Sequence, residues 1–312
     1  MKTAAERLDV LDDIFTDAAD RGLMLRSVED DVLDGRSITP QGRELVSFGS
    51  CSYLGLEMDD RLRAGVVDAV TRYGTQFSSS RSYISAPAYA ALEDRLSELF
   101  GSPTMVAAST SLGHLSVLPV VVDSRDAVIL DQQVHHSVHL AVNQLRTQGV
   151  AVEVVRHNRM DLLEERVEAL SRTHRRVWYM ADGVYSMFAD LAPVEELVAM
   201  QARHESLYLY VDDSHGMSWA GSNGSGTVLD RLPSRERAIV ALSLNKAFAA
   251  AGGAFVFADA ELRRRVRTCG GTMIFSGPVQ PPMLGAALAS AAIHMSPEIA
   301  ELQAALRARV AL

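Results

Sequence analysis

From residue 105 onward the chain alternates short, almost unbroken apolar runs with longer stretches whose apolar residues recur every three or four positions. The runs 105–108, 127–130, 152–156, 177–181, 207–211, 238–242 and 254–257 read as strands, and the stretches 113–122, 136–148, 160–172, 193–204 and 259–268 as helices. Strands that are apolar at every position are covered on both faces. The pattern therefore predicts an α/β fold with a mostly parallel central sheet and helices on both faces. Ligands of such sheets collect beyond the carboxyl ends of the strands, where Ser109, Asp131, Asp182, Asp212 and Ser243 fall. Ahead of the sheet, 5–22 reads as an amphipathic helix on Leu8, Leu11, Ile14 and Phe15, a polar stretch runs to about 44, and 61–73 and 89–100 read as helices. After it, 282–294 and 297–311 read as helices with short Ala/Leu seams. The organisation expected is an N-terminal helical arm over 1–45, a large α/β domain over 46–285, and the start of a truncated C-terminal small domain over 286–312.

Composition narrows the classes. With 312 residues, 48% of them hydrophobic and 22% charged, the chain holds enough apolar material for one large domain or two unequal ones. A net charge of −9, with only the short basic runs Arg175-Arg176 and Arg263-Arg264-Arg265, argues against nucleic acid; each run reads as a solvated helix face. Cys51 and Cys269 stand far apart, with neither a disulfide framework nor a thiolate metal pair, which suits a reducing cytoplasm. The N-terminus lacks the apolar centre of a secretion signal, and no uncharged apolar stretch is long enough to cross a bilayer. His135, His136 and His139 lie close together, but their spacing does not repeat on one helix face and no cysteine is near, so no metal is expected.

The most informative segment is Ala-Leu-Ser-Leu-Asn-Lys-Ala-Phe-Ala-Ala-Ala-Gly-Gly-Ala over 241–254. It puts Lys246 just past a strand and beside a loop of small residues. An amine in such a partly apolar place loses proton affinity and becomes a nucleophile toward carbonyls. A second strand, Leu-Tyr-Leu-Tyr-Val-Asp, ends on Asp212. A strand-end lysine with a strand-end aspartate is the pair that pyridoxal 5'-phosphate (PLP) needs: the lysine forms a Schiff base and the carboxylate keeps the pyridine nitrogen protonated. Read singly, Lys246 could be a surface lysine and Asp212 a helix cap; the pairing favours the cofactor. Ser109-Thr110-Ser111-Leu112-Gly113 follows a strand and opens a helix, as an anion site requires.

The chain also carries, in order, Ser50-Cys51-Ser52-Tyr53-Leu54-Gly55-Leu56, Ser79-Ser80-Arg81, Leu92-Glu93, Asp131 to His135 with Ser137, Asp182-Gly183-Val184-Tyr185-Ser186-Met187, Val211-Asp212-Asp213-Ser214-His215-Gly216, and Ser243-Leu244-Asn245-Lys246-Ala247-Phe248. This ordered set resembles the α-oxoamine synthases, a family of fold-type I PLP-dependent transferases. The resemblance implies condensation of an amino acid with an acyl thioester, carried by CoA or by an acyl-carrier protein, with decarboxylation to an α-amino ketone. It also implies a cytoplasmic homodimer with the active site at the interface. Catalytic roles fall to Lys246, which moves protons at the substrate α-carbon, to His215 near the acyl carbonyl and the ring's phenolic oxygen, and to His135 stacked on the ring. The cofactor contacts implied are Asp212 on the ring nitrogen, Ser186 on the phenolic oxygen, and Ser111, Leu112 and Ser243 at the phosphate. Ser276 is expected to reach the phosphate of a partner subunit.

Some positions depart from the family's pattern. Cys51 stands where asparagine is usual, Tyr89 where histidine is common, Gln76-Phe77-Ser78 where glycines are usual, and Ser111-Leu112 where the family has a glycine. The carboxylate-binding arginine normally belongs to the C-terminal region, which leaves Cys51 and Arg81 as substrate candidates. An aminotransferase, lyase or aldolase on the same fold, or a non-catalytic homologue, is the alternative reading.

Overall fold

The computed structural model describes residues 3–312. The chain divides into two compact units, Met1–Ser50 and Cys51–Leu312. In the first, α1 (Ala4–Asp20) begins on a reciprocal cap: Thr3 Oγ1 accepts the Glu6 N–H at 3.2 Å and the Glu6 carboxylate accepts the Thr3 N–H at 2.6 Å. The polar stretch that follows contains a short antiparallel pair, β1 (Ser37–Ile38) with β2 (Leu45–Val46), too brief to leave a strand signal in the sequence. Asp30 steadies it by accepting the N–H and O–H of Thr39.

The second unit runs α2 (Asp60–Tyr73), α3 (Ala88–Phe100), β3 (Thr104–Ala107), α4 (Thr110–Val121), β4 (Ala127–Asp131), α5 (His136–Thr147), β5 (Ala151–Val155), α6 (Met160–Ser171), β6 (Val177–Asp182), α7 (Val194–Arg203), β7 (Leu207–Asp212), β8 (Ala238–Ser243), β9 (Gly253–Val256), α8 (Ala260–Cys269), α9 (Gly271–Phe275), α10 (Pro281–His294) and α11 (Glu298–Val310). The strands form one seven-stranded sheet in the order β3-β9-β8-β7-β6-β4-β5. The pairs among β4 to β8 are parallel, whereas β9 runs antiparallel to both β3 and β8. Helices cover both faces, as the apolar runs require. Leu92 of α3, Leu163 of α6, Leu197 of α7 and Leu284 of α10 share one core, and Val117 of α4, Val138 of α5 and Val266 of α8 the other. Asp131, Asp182, Asp212 and Ser243 are the last residues of their strands, so the sheet delivers four polar groups to one end. No helix among the described residues is long and apolar enough to cross a membrane.

Two features of α10 fix its position against the rest of the unit. It meets α2 backbone to backbone: a Cβ added at Gly285 would come within 2.1 Å of the Gly65 carbonyl oxygen. Gly285→Ala must therefore push the helices apart, and it should lower the urea midpoint by an amount corresponding to about 1–3 kcal/mol. An unchanged midpoint would show that the seam opens freely.

The far end of α10 holds the loop after β8. Ser290 Oγ donates to the Phe248 carbonyl at 2.7 Å, and the His294 ring packs on Phe248 with centroids 4.6 Å apart. His294 is fully buried, its Nδ1 2.8 Å from the Ser290 carbonyl and its Nε2 2.9 Å from Ser218 Oγ. The carbonyl fixes Nδ1 as the donor and leaves Nε2 to accept from the hydroxyl, so the ring is neutral. Burial pushes its pKa down to about 4, against the opposing hydrogen bond to Ser290. An unfolded histidine titrates near 6.5, so the unfolded chain takes up the proton first. The stability from this site is complete above pH about 6.5 and is lost as pH falls through about 4, on the order of 3 kcal/mol in all. Urea unfolding across that window should show wild type losing this increment relative to His294→Leu; parallel curves would contradict it.

Candidate active site

The carboxyl ends of β4, β6, β7 and β8 surround a cavity of about 190 Å³ bordered by His135, Asp182, Asp212, His215, Ser243 and Lys246 together with the first turn of α4. Strand register brings the groups together. Asp182 pairs with Asp212 across β6 and β7, and Asp212 with Ala241 across β7 and β8, which sets Ser243 and the following loop at the same level. Lys246 lies in the turn between β8 and β9. Leu244 N–H bonds the Gly252 carbonyl at 3.0 Å, and Gly252 N–H bonds Asn245 Oδ1 at 2.6 Å, which ties the turn to itself on either side of the lysine.

The two acids of Asp212-Asp213 part company because successive strand residues face opposite ways. Asp212 enters the cavity region. Asp213 is buried and accepts Thr227 N–H (2.6 Å), Thr227 O–H (2.8 Å) and Val228 N–H (3.1 Å), so it holds the loop after β7 in place. Burial alone would raise the Asp212 pKa. The hydrogen bond from His114 and the charge of Lys246 outweigh burial and hold it below the ordinary carboxylate range. The neighbouring Asp182 goes the other way: burial and then the Asp212 charge push its carboxyl well up, while its Oδ1 accepts the His135 N–H at 3.0 Å. Of the two carboxyls, Asp212 carries the charge. Burial lowers the Lys246 amine from its ordinary value, opposed by Asp212, Cys51 and Asp182. His215 is lowered to about 4 by burial and then by Lys246, and its Nδ1 lies 2.8 Å from the Tyr53 hydroxyl. Burial also lowers His135, whose Nδ1 lies 2.7 Å from Ser137 Oγ.

The other expected site residues are placed as follows. Ser111 borders the cavity in the first turn of α4, where Ser109 Oγ caps the helix by accepting the Leu112 N–H at 3.1 Å. That bond corrects one expectation: Leu112 does not line the cavity and its N–H is already taken. Cys51 lies near enough to Lys246 and Tyr53 to act on both electrostatically. Ser186 is exposed and borders an adjoining cavity of about 510 Å³ with His136, His139, Met187 and Phe188. Ser276 lies outside both cavities. Arg81 is a second correction. It is buried, bonds Glu93 at 2.7 Å and the Val106 carbonyl at 2.6 Å, and lies over the Tyr89 ring. Its guanidinium is committed to joining α3 to β3 and does not face the cavity. Tyr89 is equally structural, its hydroxyl accepting the Val279 N–H at 2.6 Å.

The sequence reading missed two groups. His114 is fully buried with its Nε2 3.0 Å from Asp212 Oδ2. His157 bridges Asp131 and Asp190 and so braces the loop that carries Ser186. A single histidine in the apolar run of α4 was the available signal for the first; nothing in the pattern marks the second. A third difference concerns the basic runs. Arg175-Arg176 lies in the turn before β6 rather than on a helix, with Arg175 paired to Asp126 and Arg176 over the Tyr208 ring; with Arg265 these residues line a cavity of about 610 Å³ at the opposite end of the strands.

The residues present fit a phosphorylated pyridine. The Ser214 hydroxyl borders the cavity, is buried and has no partner, so the site has unspent hydrogen-bonding capacity beside an ionised carboxylate, an amine and a helix N-terminus. Comparison with known proteins agrees. Residues 43–311 match the family model for class I and II aminotransferases. The chain is 31% identical to 8-amino-7-oxononanoate synthase of Maricaulis maris over 93% of its length and 71% of that protein, and 33% identical to the enzyme of the same name from Geobacter sulfurreducens over 89% and 70%. Serine palmitoyltransferase of S. paucimobilis, solved with a bound PLP–myriocin adduct, superposes with a TM-score of 0.82 at 22% identity, over 95% of this chain and 74% of that one. 8-Amino-7-oxononanoate synthase of Francisella tularensis superposes with a TM-score of 0.64 at 18% identity, over 82% and 68%. Family model, relatives and fold converge with the motif order, and the chain belongs to the class I and II aminotransferase family, within it to the α-oxoamine synthases.

Proposed function

We infer that the protein condenses an amino acid with an acyl thioester, releasing the thiol and carbon dioxide and leaving an α-amino ketone, with PLP as cofactor. The observation that carries this reading is that Lys246 and Asp212 border one cavity with His135 and His215. Bound there, the cofactor supplies an electron sink for the carbanion formed at the amino acid's α-carbon. The protein supplies the rest. The lowered proton affinity of Lys246 gives it the free amine that covalent attachment needs and lets it take and return a proton at the α-carbon. Asp212 keeps its negative charge to hold a proton on the ring nitrogen. The first turn of α4 with Ser111, and the hydroxyl of Ser243, hold the phosphate. The face of His135 orients the ring. His215 is neutral; with the Tyr53 hydroxyl donating to Nδ1, its Nε2–H is the donor left for the acyl oxygen.

A homodimer and a cytoplasmic location belong to the same proposal. Ser276 lies outside its own cavity and next to Phe275, which is 88% exposed, an arrangement suited to contact with a second subunit. Both cysteines are unpaired thiols. The direct test is incubation of the purified, PLP-loaded chain with a panel of amino acids and acyl-CoA or acyl-carrier thioesters. The expected result is stoichiometric release of free thiol and carbon dioxide, dependent on one amino acid. Production of a keto acid without thiol would assign an aminotransferase instead.

A further inference from the structure

We propose that Tyr210 and His114 are positioning residues that act through Asp212: Tyr210 fixes the proton of His114 on Nε2, and His114 in turn aims the Asp212 carboxylate at the ring nitrogen without cancelling its charge. This rests on the reading that Asp212 faces that nitrogen.

The three side chains form one buried line. Tyr210 and Asp212 are two residues apart on β7, so both point to the same side of the sheet, where α4 lies across them. His114 of α4 spans the gap, with Nδ1 2.6 Å from the Tyr210 hydroxyl and Nε2 3.0 Å from Asp212 Oδ2. Tyr210 and His114 are wholly buried and Asp212 is nearly so, so among these groups water cannot choose the tautomer. Burial, reinforced by the Asp212 charge, holds the phenol pKa far above its ordinary value, so the hydroxyl keeps its proton and can donate it to Nδ1. A nitrogen that accepts a hydrogen bond carries no proton, and the imidazole's single N–H then falls on Nε2, facing the carboxylate.

A neutral donor suits this position. A lysine or arginine would orient the carboxylate equally well, but would pair with it as an opposite charge and leave the ring nitrogen a neutralised partner. The imidazole supplies one hydrogen bond and the Ser214 N–H another at 3.0 Å, on Oδ2 and Oδ1 respectively, and the carboxylate keeps its full charge. The packing is specific to this arrangement. Phe255 meets the His114 ring edge-on, with centroids 5.7 Å apart and planes at 87°. It can do so only because residue 113 is glycine: a Cβ there would come within 2.0 Å of the Phe255 ring.

Three variants test the relay: Tyr210→Phe, His114→Phe and His114→Asn. Each is loaded with PLP carrying an isotope-labelled ring nitrogen, and both the affinity of the unloaded chain for PLP and the ring-nitrogen chemical shift at neutral pH are read, beside the melting temperature of the unloaded chain. The expected result is an affinity loss of about tenfold or more for His114→Phe, as for other hydrogen bonds to a charged group. The ring-nitrogen signal should move toward the unprotonated value in both phenylalanine variants and return part of the way in His114→Asn, which restores an N–H. Unchanged affinity and signal would overturn the proposal, and so would weaker binding with the nitrogen still fully protonated, since that is all a packing role predicts. Should His114→Phe fail to fold, Tyr210→Phe, which removes one oxygen, decides alone. An unprotonated ring nitrogen in the wild type would instead sink the assignment of Asp212 itself, an outcome separable from failure of the relay.

Discussion

Lys246→Ala, purified in the presence of PLP, should lose the yellow absorbance at about 420 nm and with it turnover by a factor of about 10³ or more. Borohydride should fix no label to the variant, where it fixes one per chain to the wild type. The reasoning is local. Lys246 sits in a turn whose own hydrogen bonds run through Leu244, Asn245 and Gly252, and none of those bonds uses the lysine side chain. Removing the amine should therefore leave far-UV circular dichroism unchanged. A variant that keeps the band, or keeps a tenth of the activity, would mean that the covalent attachment lies elsewhere.

Asp212→Asn should be almost as damaging. Turnover should fall by about 10²–10³, the usual cost of losing one preorganised electrostatic partner in a site closed to water. The amide keeps the shape and one acceptor for His114 but removes the charge that, on the proposed assignment, would hold the ring nitrogen protonated. Asp182→Asn is the matched control. Its carboxyl is held protonated by burial and by Asp212, so the same substitution there changes no charge and should cost about tenfold or less. Equal losses at the two positions would show that the site responds to bulk rather than to which carboxyl is ionised.

The carboxylates and the lysine were legible in the sequence because they follow strands whose apolar runs are unbroken, and those that pair in parallel, β4, β6, β7 and β8, present their ends on one side of the sheet. The direction of β9 was not legible. A run such as Gly-Ala-Phe-Val is apolar at every position whether it runs with its neighbours or against them, and only the shortness of the connection from β8 hinted at an antiparallel return. Arg81 was misread because a basic residue inside a motif suggests a ligand. Its partner Glu93 belongs to the adjacent motif, and reading the two together would have given the buried pair that is found. His114 escaped notice because it makes no contact that spacing reveals: its partners come from a strand almost a hundred positions away, two residues of which share a face. Leu112 was chosen for its place in a loop, but the helix starts at Thr110, earlier than the apolar spacing suggested, and the Ser109 cap takes the amide.

The antiparallel return of β9 has a consequence for how activity can be lost. In the parallel part of the sheet a strand is followed by a long crossover, which tolerates added length. The segment between Ser243 and Gly253 instead has both ends locked in register on neighbouring strands. One inserted residue there has no slack to absorb it. It would swing the amine out of alignment while every strand stayed paired, yielding a well-folded protein that is chemically silent.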